Sequence, residues 1–146
     1  MVDNCKVFET KSAEETFKIG EGFGEAAEGA SVYTLEGDLG VGKTVFAKGF
    51  AKGLGIGQNV SSPTFTIMQL YEDGRIPLYH YDAYRIEDPS EMEEIGYIDY
   101  FYGNGVCLIE WAENIREYLP KHYTKVRIEK DLEKGFDHRR ITVTKI

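Results

Sequence analysis

The residues with the clearest chemical potential in this sequence are Gly37-Asp38-Leu39-Gly40-Val41-Gly42-Lys43-Thr44, a complete G-x-x-x-x-G-K-[ST] string. Phosphate oxygens need several amide donors converging on one point, and only a loop poor in Cβ atoms wraps that closely. A helix starting where the loop ends adds its positive pole beneath the phosphates. In such a loop Lys43 sits against the β- and γ-phosphates as a compact cation, and the Thr44 hydroxyl ligates Mg²⁺. No second threonine follows it: position 45 is Val45, so no hydroxyl equivalent is expected there. A second metal partner is expected where a buried strand ends in an acid. Val106-Cys107-Leu108-Ile109-Glu110, followed by Trp111, has that shape and makes Glu110 the candidate. The plainer reading of Glu110 is a strand-end glutamate facing solvent.

Two further segments carry chemistry-bearing side chains. Ser61-Ser62-Pro63-Thr64-Phe65-Thr66 is dense in hydroxyls, which reads either as a capped loop or as a switch. In the switch reading Thr64 or Ser62 approaches the metal or γ-phosphate and orders the loop when ATP is present. In His80-Tyr81-Asp82-Ala83-Tyr84-Arg85, strand alternation puts His80, Asp82 and Tyr84 on one face and Arg85 on the other. Asp82 is then placed to orient an attacking water or to complete a metal shell, the alternative being a polar face on an edge strand. The guanine signatures N-K-x-D and D-x-x-G are missing from the chain, which favours ATP. Arginines occur only at 75, 85, 116, 127, 139 and 140 and form no clustered lid, so hydrolysis or a nucleotide-dependent switch fits better than a small-molecule kinase.

These residues need elements to position them. Ser12 and Glu15 fit a capping box, and Phe17, Gly20, Phe23, Ala26 and Ala27 follow at helical spacing, predicting a helix over about 13–28. Residues 32–36 read as a buried strand entering the glycine loop. Phe46, Ala47, Phe50, Ala51 and Leu54 then form one face of a helix stopped by Gly53 and Gly55. Asp73-Gly74 predicts a hairpin between 66–71 and 76–81. Asp88 as N-cap, with Pro89 at the first helical position, starts another helix. A short helix is expected over 114–119, ended by Pro120, and a closing hairpin of strands 124–131 and 139–145 turns at Lys134-Gly135. The fold class is therefore α/β: one P-loop NTPase-like domain over 1–146, with a mostly parallel central sheet flanked by helices and β-hairpin additions.

With 146 residues, 42% of them hydrophobic, the chain has enough apolar material for one core. Lys and Arg number 17 against 25 Asp and Glu, a net charge of −8 and a pI near 4.9. That balance lacks the basic footprint of tight non-specific nucleic-acid binding, so on a nucleic-acid pathway a partner is expected to hold the nucleic acid. Cys5 and Cys107 have no metal-ligand spacing, and His80, His122 and His138 lie far from them in sequence. No apolar run approaches the roughly 18 residues of a membrane span, and the N-terminus is polar and acidic. A cytoplasmic location without membrane attachment is expected.

The four motifs Gly37–Thr44, Ser62–Thr66, His80–Arg85 and Glu110-Trp111 together resemble, in order, the bacterial TsaE family. This is the P-loop ATPase family of tRNA N6-threonylcarbamoyladenosine (t6A) biosynthesis. The resemblance implies a weak Mg²⁺-dependent ATPase acting with two partners, the threonylcarbamoyl-transferase subunit and its inactive paralogue (the TsaD and TsaB types). Together these modify adenosine 37 of tRNA, which the ATPase itself meets only indirectly. Carried over by motif, Lys43 holds phosphate, Thr44 and Glu110 bind Mg²⁺, Thr64 belongs to the first switch, Asp82 supports hydrolysis and Trp111 lies near the nucleotide. Family members also use terminal segments around the adenine, where Thr10, Ser12 and Arg139 are the candidates here. The acidic run from Glu87 to Asp99 reads as a solvated face or as a surface for a basic partner.

Overall fold

The computed structural model describes residues 4–38, 40–60 and 67–146. Leu39 and the segment 61–66, with the switch candidates Ser62 and Thr64, lie outside the described residues. The strands are β1 Cys5–Thr10, β2 Ser31–Glu36, β3 Met68–Tyr71, β4 Leu78–Asp82, β5 Val106–Glu110, β6 Thr124–Lys130 and β7 Arg139–Lys145. They form one sheet in the order β1-β7-β6-β2-β5-β4-β3. Its centre, β6-β2-β5-β4, is parallel as expected. Both flanks are antiparallel: β3 on β4 and β7 on β6 are the two expected hairpins, and β1 adds to β7.

Residue alternation in β5 divides the molecule into two cores. Val106 and Leu108 point to one face, where α1 (Ala13–Ala26) and α2 (Lys43–Gly53) pack on Tyr33, Leu35 and Leu78. Cys107 and Ile109 point to the other face, onto Tyr79, Tyr81, Met92 and Phe101. That second face is covered by α3 (Glu91–Glu94), α4 (Tyr97–Phe101) and a 3₁₀ segment, Ala112–Tyr118. A strand buried between parallel neighbours has to be apolar on both faces, which is why the run before Glu110 does not alternate.

The α1 start follows its sequence signal, with the Glu15 amide donating to Ser12 Oγ at 3.1 Å. The Glu15 carboxylate reaches one residue further back than a reciprocal box requires, accepting from the Lys11 amide at 3.0 Å. At the other end of α1, Arg75 donates to the carbonyls of Gly24, Glu25 and Ala27, so the β3–β4 connection caps the helix.

Two expected boundaries are corrected. Asp88 is not a helix N-cap: its Oδ1 accepts from the Ser90 amide at 3.0 Å in an Asx turn, and α3 begins only after Ser90. The helix expected over 114–119 is a 3₁₀ segment kinked at Ile115 (φ −129°), and the Asn114 side chain donates back to the Ala83 carbonyl at 2.9 Å. Among the described residues no helix is long and apolar enough to cross a membrane.

Candidate functional site

The glycine loop leaves β2 at Gly37 and delivers the chain into α2 at Lys43. Gly37 (φ 147°) and Gly42 (φ 112°) hold backbone conformations that side chains resist. At Gly37 a Cβ would also meet the Ile128 carbonyl at 2.6 Å, so the loop lies against β6. The Val41 amide donates to the Asp38 carbonyl at 3.3 Å, and α2 opens with the Phe46 amide on Gly42. Among the described residues no side chain caps the α2 N-terminus. Its first amides are therefore the natural partners of an anion, which is the donor set a phosphate group needs.

Lys43 is buried at the start of α2 while Thr44 beside it is exposed. The residue at position 45 is Val45 and not Thr, so Thr44 is the one hydroxyl in this turn of α2. Val45 is half-buried and lends an apolar wall to a cavity beside the loop. The Lys43 ammonium lies over the indole of Trp111, 4.5 Å from the ring centroid. Trp111 reaches that position because its own backbone is left-handed (φ 59°), a strained conformation for a bulky residue that turns the chain off β5. The Tyr84 ring also packs on the indole, with ring centroids 4.9 Å apart and the planes tilted by 56°.

Glu110 ends β5 opposite Asp82 at the end of β4 and Leu35 on β2. It follows Val106 and Leu108 in alternation, so it faces the side covered by α2, together with His80 and Asp82. Glu110 is 4% exposed, and its Oε2 lies 2.9 Å from His80 Nε2. Burial raises the Asp82 carboxyl above its ordinary pKa, and the Glu110 charge adds to the rise. Opposing it are the Tyr84 amide, which donates to Oδ1 at 3.0 Å, and the nearby His80 and Lys43. The three acid and base residues picked from sequence thus converge toward the carboxyl ends of the parallel strands β4 and β5, while Tyr84 and Arg85 lie past the end of β4.

The terminal candidates are more dispersed in role. Thr10 and Thr16 share a buried hydroxyl contact of 2.7 Å, and Ser12 Oγ is engaged in capping α1. Arg139 donates to the Val41 carbonyl at 2.8 Å and to the carbonyls of Phe136 and His138, pinning the glycine loop to β7. The cavity that Val45 borders, about 150 Å³, opens here between Ala13 and Thr16 of α1, Gly40–Gly42 of the loop, and Asp137 and Arg139. On the other side of the loop a cleft of about 590 Å³ runs past Trp111 to Arg116, Lys125 and Arg127. Sequence reasoning missed Thr16, Asp137 and Arg116, since nothing in their local pattern marks them.

The donor set fits a nucleotide with magnesium. Among the described residues no three His, Cys, Asp or Glu stand together to cage a metal. Magnesium is commonly held by one or two protein oxygens plus substrate phosphates, so a three-residue cage is not what a nucleotide-bound magnesium requires. Cys107 is no competing nucleophile, because its burial pushes the thiol pKa up.

A glycine loop from a central strand into a lysine-started helix, with acids ending the neighbouring parallel strands, defines a P-loop NTPase-like α/β protein. The family model "Threonylcarbamoyl adenosine biosynthesis protein TsaE" matches residues 10–141, and the chain belongs to this TsaE family. It is 50% identical over 137 residues to the tRNA threonylcarbamoyladenosine biosynthesis protein TsaE of Bacillus subtilis strain 168, covering 94% of this chain and 84% of that one. Its counterpart of the same name in Treponema pallidum is 41% identical over 119 residues, 82% of this chain and 87% of that protein. The crystal structure of Bacillus subtilis YdiB is similar with a TM-score of 0.80 at 43% identity, over 99% of this chain and 86% of that chain.

Proposed function

We propose that this protein is a weak magnesium-dependent ATPase that serves t6A modification at position 37 of tRNA, working with a threonylcarbamoyl-transferase subunit and its inactive paralogue. The observation that carries the chemistry is the convergence of Lys43, Asp82 and Glu110 from three elements, on the α2 side at the carboxyl ends of the parallel strands. The pathway rests on family membership and on the names of its relatives.

In this reading the amides of Gly40, Val41 and Gly42 and the start of α2 bind the phosphates, and Lys43 leaves the Trp111 ring to neutralise them. Thr44 and Glu110 hold Mg²⁺, which when bound offsets charge on the transferring phosphoryl group. Asp82, made more basic by burial than a solvated aspartate, orients the attacking water and accepts its proton. Thr64 is assigned to the switch by its motif. The cavity lined by Ala13, Thr16 and Arg139, whose Thr16 hydroxyl meets that of Thr10 and whose Ala13 follows Ser12, is taken to hold the adenine.

Reconstituted tRNA modification under multiple-turnover conditions, with and without this chain, tests the proposal. The chain is expected to raise product per transferase, and ATP hydrolysis is expected to rise when the partners are added. Lys43→Ala removes both effects along with the response of Trp111 emission to magnesium-ATP. Undiminished hydrolysis in Lys43→Ala would refute the site, and equal modification without the chain would refute the pathway.

A further inference from the structure

The pairing of His80 with Glu110 stands out because both side chains are buried, 1% and 6% exposed, and meet at 2.9 Å. Strand register makes the pairing local to the sheet. His80 lies opposite Leu108 on β5, and Asp82 lies opposite Glu110, so His80 and Glu110 are diagonal neighbours on one face. On the other flank His80 faces Gln69 of the edge strand β3. A carboxylate oxygen only accepts, so Nε2 carries the hydrogen and donates to Glu110 Oε2. The other ring nitrogen, Nδ1, is buried without a hydrogen-bond partner among the described residues.

That asymmetry argues against a purely structural histidine. Most buried polar side-chain atoms have a partner, whereas here, among the described residues, Nδ1 makes no hydrogen bond and Nε2 meets Glu110. The contact matters for Glu110 because a glutamate has three side-chain torsions, and a metal ligand has to present its carboxylate in one orientation. Fixing one oxygen fixes the carboxylate plane.

We infer that His80 is a positioning residue that holds the Glu110 carboxylate in its metal-binding orientation by donating from Nε2 to Oε2. The inference rests on Glu110 being a magnesium ligand in the proposed function. It makes His80 an outer partner of the metal site, the kind whose loss typically weakens metal affinity about 10–100-fold.

The test compares ATP affinity of the full chain in EDTA with that in saturating Mg²⁺, the ratio giving the contribution of the metal. In His80→Leu the ratio falls about tenfold or more, while affinity in EDTA stays that of the parent because the phosphate loop is untouched. His80→Gln, whose amide nitrogen reaches a similar point, restores most of the ratio, and the electron paramagnetic resonance spectrum of bound Mn²⁺ changes in His80→Leu but not in His80→Gln. If His80→Leu keeps the ratio while Glu110→Gln loses it, His80 does not position the ligand and the inference falls alone. A ratio preserved in Glu110→Gln removes Glu110 from the metal and takes the inference with it. Equal loss of EDTA affinity in both His80 variants marks a merely structural role and also overturns it.

Discussion

Asp82 has a carboxyl whose folded-state pKa lies above its ordinary value of 3.8, chiefly because burial disfavours the charge. The folded protein therefore holds that proton more tightly than the unfolded chain does, and stability is lost as pH rises through the raised value. Asp82→Asn removes this cost and keeps an oxygen to accept from the Tyr84 amide. The expected result is a higher thermal midpoint at pH 7, no difference below pH 3.8, and loss of ATP turnover with ATP binding retained. A lower midpoint at neutral pH would mean that the charge is stabilising and the burial argument wrong. At this scale the sequence is uneven to read. The loop Gly37–Thr44 is legible because its chemistry is contiguous. The His80–Glu110 contact spans 30 residues and depends on the parallel register of β4 with β5, which no local spacing encodes. The left-handed backbone of Trp111 is equally silent in the string of letters.

Between elements, the position of the site depends on how α2 is seated. Helices α1 and α2 cross with backbones nearly touching: a Cβ at Gly49 would collide with the Phe17 carbonyl, and one at Gly20 with that of Phe46. Alanine is the better helix former by about 0.8–1 kcal/mol, so propensity alone favours Gly49→Ala. Overpacking costs about 1–3 kcal/mol or more and should win, lowering the thermal midpoint and weakening ATP binding as the loop end of α2 shifts. Gly22 in α1 has open space around it, and Gly22→Ala is the matched control that should stabilise by about 0.5–1 kcal/mol. Thermal unfolding of the two variants checks the pair, and a stabilised Gly49→Ala would show that the helices have room to part. Element existence was largely legible: α1, α2, the two hairpins and the β5 run all follow their patterns. Strand β1 was not, because Cys5–Thr10 is an edge strand with mostly exposed residues, and only pairing with β7 makes it a strand. Asp88 misled for a related reason, since the same side chain serves an Asx turn and an N-cap equally well.

For the molecule as a unit, charge and topology separate two ends. Residues 116–146 carry nine of the 17 basic residues and only five of the 25 acidic ones, and they supply β6 and β7 on one flank of the glycine loop. The acidic remainder includes β4, β5 and the run from Glu87 to Asp99 on the other flank. The candidate site lies where these halves meet, built from β2, α2, β4 and β5 with Arg139 of β7 tying down the loop. A ligand there touches elements distant in sequence, so its binding energy adds to the stability of the whole fold instead of one segment. At a concentration one hundred times its Kd, a ligand specific for the folded state contributes about 2.7 kcal/mol. For a chain of this size that corresponds to a rise in thermal midpoint of roughly 5–10 °C. Magnesium-ATP should produce such a rise in the parent protein, Lys43→Ala should show little of it, and GTP should give less than ATP at equal concentration. An equal shift with GTP would contradict the preference for adenine inferred from the missing guanine signatures. A shift retained in Lys43→Ala would move the binding site away from the glycine loop altogether.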